Sequence, residues 1–349
     1  MPYTRPDERA RALRLHLNEN TAGCSPAVLD AVQALTREDL SFYPDYGAVT
    51  AAVERALGVP AGWVLLTNGL DEGLHLVAQQ GMLRALGRHD QSAHVVFAEP
   101  AFEMYAACAE AMGLGTRRVP PGADLAFPGA ALLAALGAGT EVVYLTDPGN
   151  PTGLPVPPGV IDQVAAAAPH ATVLVDEAYA DFSGRSAIGP RLDERRNVVV
   201  GRSFAKAYGL AALRAGALVA HPDTLAPLRR MQPPFSLNVC SVRALDAALA
   251  DRPYLDWYVA QSVESRQLVY AFCDRHRFPY WPSEANFVLL RVGERATSLV
   301  AALAARGVLI RDRSRAPGCD GCVRITAGVV DATRTCLDAL EDLLATRTD

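Results

Sequence analysis

From Trp63 onward, short β-branched runs alternate with Ala/Leu-rich stretches of helical spacing, and this alternation narrows the fold more than any other feature of the chain. The runs are Val64-Leu65-Leu66, His94-Val95-Val96-Phe97, Val142-Val143-Tyr144-Leu145, Thr172-Val173-Leu174-Val175 and Asn197-Val198-Val199-Val200. Helical stretches such as Gly73–Leu86, Phe102–Met112 and Val160–Ala168 lie between most of them. Strands that are apolar nearly throughout belong to a sheet covered on both faces, so the pattern predicts an α/β fold with a mostly parallel sheet between helices. Past residue 235 the character changes. Two longer helices (Ser236–Ala250 and Tyr254–Arg275) precede a strand (Asn286–Val292) and a helix (Ala296–Arg306). Short strands at Val308–Ile310 and Cys322–Thr326 and a last helix from Val330 complete a smaller α+β unit. Near the start, Pro26–Thr36 reads as a helix with Ser25 as N-cap and Pro26 at its first position.

Composition excludes several partners. A net charge of −5 leaves no basic footprint for nucleic acid or anionic lipid. Each apolar run is interrupted by Arg, Asp, Gly or Pro before it could span a bilayer, and Met1–Arg14 lacks the apolar segment of a secretory signal. A cytoplasmic, soluble chain is therefore expected. Seven cysteines scattered over 349 residues do not form a disulfide framework. Cys319 and Cys322 have the spacing of half a zinc site, but no second Cys/His pair accompanies them, so no metal is expected.

Lys and Arg together number 33, and a single one is lysine, Lys206, which leaves 33 − 1 = 32 arginines. A GC-rich genome explains the scarcity but not the survivor. Arginine holds charge yet cannot be deprotonated, so it cannot act as an amine nucleophile. A lone lysine is a candidate for Schiff-base chemistry, or a chance survivor, and its neighbours must decide. In open α/β sheets ligands bind beyond the carboxyl ends of strands. The polar residues there include Asn68–Gly73, Asn150-Pro-Thr-Gly153, Asp176-Glu-Ala-Tyr179 and Ser203-Phe-Ala-Lys206, with Arg214 soon after. The Gly-bearing turn at Asn68–Gly73 offers free N–H groups to an anion. Asp176 reads either as a cap or ion pair or as the counter-ion of a buried heterocyclic cation. Serine and arginine suit a phosphate, and lysine suits an aldehyde. Aldehyde, pyridinium and phosphate on one molecule describe pyridoxal 5′-phosphate.

This ordered set resembles the fold-type-I pyridoxal-phosphate-dependent aminotransferases over roughly Leu15 to Leu344. Within them, Leu17-Asn18-Glu19-Asn20, Tyr43-Pro44-Asp45, Asp71-Glu72 and the pair Arg311 and Arg324 are similar to the histidinol-phosphate branch. The resemblance implies a seven-stranded sheet in a large cofactor-binding domain (37–240), a small domain (241–349) and an N-terminal arm (1–36). It implies that Lys206 bonds covalently to the cofactor aldehyde, that Asp176 keeps the ring nitrogen protonated, and that Asn150 and Tyr179 contact its phenolic oxygen. Phe102 is expected to stack on the ring, with Leu70, Asp71, Ser203 and Arg214 at the phosphate. Tyr43 is expected to cross from the partner of a homodimer, and Asn20, Tyr43, Asn150, Arg311 and Arg324 to bind substrate. The implied reaction converts L-histidinol phosphate and 2-oxoglutarate to imidazole acetol phosphate and L-glutamate; the alternative is transamination of aromatic or other amino acids, or a related enzyme of specialised metabolism. Departures from the family pattern fall at Thr21, Phe42, Leu70, Gly149 and Ala205.

Overall fold

The computed structural model describes residues 12–345. After a short strand β1 (Leu13–Arg14), seven strands build the main sheet: β2 (Val64–Asn68), β3 (His94–Ala98), β4 (Gly115–Val119), β5 (Thr140–Thr146), β6 (Thr172–Asp176), β7 (Val198–Ser203) and β8 (Ala215–Val219). Their order is β2-β8-β7-β6-β5-β3-β4, and only β8 runs antiparallel to its neighbours. The sheet is mostly parallel because helices return the chain to the same end each time. Alternate residues of one strand serve different layers. Val143, Val173 and Val200 join the core on one face, whereas Val142, Leu174 and Val199 join the core on the other. That double coverage is why these strands are apolar at nearly every position.

Two strands of this sheet are absent from the sequence reading. β4 is Gly-Thr-Arg-Arg-Val at the sheet edge, where charged side chains are half exposed and the apolar signal is lost. β8 is Ala-Gly-Ala-Leu-Val, small residues whose local preference is not for strand, and it is fully buried between β2 and β7. The first helix also differs from expectation: it spans Pro26–Gln33, and Thr36 opens a second helix, Arg37–Ser41. There the Thr36 hydroxyl accepts from the Asp39 amide (3.1 Å) and the Asp39 carboxylate accepts from the Thr36 amide (3.0 Å), a reciprocal cap. Ser25 stands at the cap position of the first helix, but its hydroxyl makes no capping bond.

The smaller sheet contains β9 (Tyr280–Trp281), β10 (Phe287–Arg291), β12 (Arg311–Asp312) and β13 (Cys322–Thr326) in the order β12-β13-β10-β9. β11 (Val308–Leu309) pairs instead with β1, so the described N-terminal residues are stitched onto this half of the molecule. Leu15 is fully buried in its core, and its carbonyl accepts from the Thr326 amide (2.9 Å). No helix among the described residues is long and apolar enough to cross a membrane.

One glycine ties the main sheet to the start of the helix Gly69–Gly87. A Cβ on Gly216 in β8 would lie 2.7 Å from the backbone carbon of Gly69 and 2.7 Å from the amide of Leu70. Backbone cannot yield as a side-chain tip can. Gly216→Ala is therefore expected to cost about 1–3 kcal/mol, read as a lower urea midpoint; an unchanged midpoint would show that the helix start is free to shift.

Candidate active site

A cavity of about 280 Å³ lies at the carboxyl ends of the central strands, roofed by Asn18-Glu19 and by the β12–β13 hairpin. β6 and β7 are parallel and paired, with Asp176 opposite Gly201, so the carboxylate ending β6 and the lysine just beyond β7 emerge at the same edge. Asp176 is buried. Its carboxylate accepts from the Tyr105 hydroxyl (2.6 Å) and the Ala178 amide (3.0 Å). Among the described residues no cation lies within ion-pair distance of it, and burial pushes its pKa up. Tyr105 is itself fully buried, stacked on Tyr144 at 4.6 Å and bonded to Thr146 (2.7 Å).

The amine of Lys206 donates to the Leu17 carbonyl (3.0 Å) and sits 6.0 Å from the ring centre of Tyr179. Burial first, and the Arg324 guanidinium second, lower its pKa to about 8. The Tyr179 hydroxyl is buried and accepts from the Asn18 amide group (3.0 Å).

Two clusters with the donors to hold an anion flank these groups. At one, the helix Gly69–Gly87 begins, with unpaired N–H groups at its first turn. Arg214 donates to the Asp71 carboxylate (2.9 Å) and lies directly over Gly69, whose Cβ, were there one, would be 2.4 Å from the guanidinium. Gly69 is also in the left-handed region (φ 71°), so glycine is required twice over. Leu70 and Ser203 complete that end. At the other, Arg311 and Arg324 are direct cross-strand partners in β12–β13 and therefore share a face. Arg324 is buried, donates to Asn150 (2.5 Å) and to the His16 carbonyl (2.7 Å), and burial lowers its pKa to about 10.

Of the residues named from sequence, Leu70, Asp71, Phe102, Asn150, Asp176, Tyr179, Ser203, Lys206, Arg214, Arg311 and Arg324 line this one cavity. Asn20 does not. Its amide group instead donates to the Ala207 carbonyl (3.0 Å) and its oxygen accepts from the Ala22 amide, so it braces the lysine loop from behind while Asn18 and Glu19 face the cavity. Tyr43 is also outside the cleft of its own chain: it is 78% exposed and stacked on Phe235 at 4.1 Å. Sequence reasoning missed Tyr105, Asn18, Glu103 and Arg313. Tyr105 and Glu103 sit in and beside an apolar helix without a motif, and nothing in the sequence singles out Asn18 within Leu17-Asn18-Glu19-Asn20. Arg313 carried a legible signal, since it lies two residues beyond Arg311 and would share its face in any extended segment.

These groups fit the expected cofactor. A buried carboxylate lacking a cation suits a ring N–H⁺, a partly neutral amine suits an aldehyde, and the Gly69–Arg214 cradle suits a phosphate. A mostly parallel seven-stranded sheet that gathers such groups at one edge is the frame of a fold-type-I transferase. The family described as aminotransferase class I and II matches residues 11–339. A histidinol-phosphate aminotransferase of Ralstonia nicotianae is 34% identical over 97% of this chain and 90% of its own. One from Symbiobacterium thermophilum is 35% identical over 95% and 90%. The solved histidinol-phosphate aminotransferase of Sinorhizobium meliloti, in complex with pyridoxal 5′-phosphate, superposes with a TM-score of 0.84 at 27% identity, over 99% of this chain and 96% of that one. A putative histidinol-phosphate aminotransferase from Erwinia carotovora atroseptica gives 0.87 at 26%, over 99% of both chains. The chain belongs to the class I and II aminotransferases.

Lys206 is the sole lysine, so an amine-reactive reagent followed at the peptide that contains it, apart from the N-terminal α-amine, reports on it directly. In the cofactor-free protein the labelling rate should rise through pH 8, as the ammonium gives way to the free amine. Arg324→Met removes a like charge and should move that midpoint upward. A midpoint above pH 10 in the parent protein would contradict the burial argument.

Proposed function

We propose that this aminotransferase uses pyridoxal 5′-phosphate to move the amino group of L-histidinol phosphate to 2-oxoglutarate, giving imidazole acetol phosphate and L-glutamate. The observation that carries the reading is the facing pair Arg311 and Arg324, set in the same cleft as Lys206, which suits donor and acceptor molecules that each bear an anion. The named relatives, at 34–35% identity over nearly the whole chain, support the same substrate.

In this reading Ser203, Arg214 and the amides of Leu70 and Asp71 at the start of Gly69–Gly87 would hold the cofactor phosphate, while the Asp71 carboxylate fixes Arg214. Asp176 keeps the ring nitrogen protonated, with the Tyr105 hydroxyl fixing the carboxylate's direction. Asn150 and Tyr179 address the phenolic oxygen, and Phe102 packs against the ring. When bound, the cofactor supplies an electron sink for the pair left on the substrate carbon. The Lys206 amine, its pKa lowered to about 8, would accept the proton from the donor's reacting carbon and hand it to the cofactor carbon that bears the nitrogen, and would carry a proton the opposite way in the second half-reaction. An arginine could not do this at any accessible pH. Residues 37–240 and 241–349 act as the cofactor-binding and small domains, and 1–36 as an arm, of which residues 1–11 lie outside the described residues. The exposed Tyr43 is read as reaching the phosphate of a partner subunit in a cytoplasmic homodimer.

A donor screen on the cofactor-loaded protein tests the assignment. Histidinol phosphate should exceed phenylalanine, tyrosine and arginine in kcat/KM by at least tenfold, and a better rate with any of those three would overturn it. Lys206→Arg should lower kcat by about 10³-fold or more while keeping the charge. Arg324→Ala should raise KM for the phosphorylated donor by about 30-fold or more, the cost of truncating a buried charged donor, and less for an uncharged analogue.

A further inference from the structure

We infer that Arg313 is a specificity-determining residue: with Arg311 and Arg324 it forms a three-guanidinium receptor matched to a phosphate dianion, and Glu103 from the opposite wall holds it in place. The inference rests on the reading above only in taking this end of the cleft as the anion-binding end.

The ladder places the three arginines together. Arg311 is paired with Arg324, and the Arg313 amide donates to the Cys322 carbonyl (3.0 Å), which carries the antiparallel register one step beyond β12. Residues two apart on a strand point to the same face, so Arg313 joins Arg311 and Arg324 on the side facing the cavity, which all three line. The Arg313 side chain is only 9% exposed, whereas that of its partner Glu103 is 54% exposed. The pair closes at 2.8 Å. Burial opposes the Glu103 charge, but Arg313 beside it outweighs this and holds the carboxyl below its usual range, ionised at neutral pH. Arg313 is thus the immobile member, and Glu103 the group that fixes which way it points.

The charge at this end asks for an external anion with more than one charge. Among the described residues, neither Arg311 nor Arg324 has a carboxylate within ion-pair distance. Three guanidiniums less one carboxylate leave a net charge of +2 at this end, which a phosphate monoester dianion neutralises and a carboxylate does not. A phosphate ester also presents three free oxygens, one for each guanidinium, where a carboxylate presents two.

The test uses cofactor-loaded protein, so that the phosphate cradle at Gly69 and Arg214 is already filled. Arg313→Met should raise KM for histidinol phosphate at least tenfold with kcat within threefold, and leave KM for 2-oxoglutarate within threefold. Arg313→Lys, which keeps charge but loses the fork, should fall between. Equilibrium titration with two unreactive anions gives a second readout: Arg313→Met should weaken glycerol 3-phosphate at least tenfold and butyrate less than threefold. Retained circular dichroism and cofactor absorbance would exclude misfolding. Equal losses for phosphate and carboxylate, or no loss for either, would overturn the inference. If histidinol phosphate is not a substrate of the parent protein but glycerol 3-phosphate still depends on Arg313, the donor assignment fails and the receptor stands.

Discussion

Desolvation at one edge of a parallel sheet is the condition on which the rest of this molecule depends. Parallel strands that share a direction end together, and so β6 and β7 bring Asp176 and Lys206 to the same floor. Burial disfavours the charged form of each, raising the carboxyl and lowering the amine. A surface carboxylate and a surface lysine would have ordinary pKa values and no reason to react. Here the cost of burial makes the amine available as a base near neutral pH and leaves the carboxylate in want of a cation. Tyr105 then matters because, among the described residues, it is the one side chain that bonds Asp176 directly, and it is itself packed against Tyr144.

The segment Leu15–Asn20 joins the two sheets at that floor. Leu15 is packed in the core of the smaller sheet, the Leu17 carbonyl accepts from Lys206, and Asn18 donates to Tyr179 while its own carbonyl accepts from Asn286. The His16 carbonyl accepts from Arg324, and Asn20 braces Ala207. A stretch of six residues thus touches the amine, the phenol and an anion-binding arginine at once.

Several of the departures from the family pattern acquire reasons in this setting. Gly149 sits where a Cβ would meet the Thr152 hydroxyl at 2.9 Å and the Leu154 carbonyl at 3.3 Å, so a larger residue would have to reshape the loop that presents Asn150. Thr21 spends its hydroxyl on the Val329 amide (2.8 Å), tying the N-terminal segment to the entry of the last helix. Ala205 lines the cleft and leaves the phosphate end to Ser203, Arg214 and the helix start. Nothing in the structure explains Phe42, which is 69% exposed.

Local chemistry was legible in the chain. Periodicity announced the buried strands, because a strand covered on both faces must be apolar throughout, and the lone amine among arginines, read with its neighbours, marked the candidate reacting group. β4 and β8 escaped for the converse reason: one is an edge whose side chains meet water, the other is built of residues too small to signal strand. Convergence is what only the tertiary structure decided. Asp176 and Tyr105 are 71 residues apart in sequence, Arg313 and Glu103 are 210 apart, and Arg324 and Asn150 are 174 apart. A hydrogen bond is a matter of ångströms, and separation along the chain carries no distance until the sheets are packed. For that reason Asn20, plausible by motif, lies behind the lysine loop bonded to Ala207, while Arg313 and Glu103, named by no motif, line the cavity.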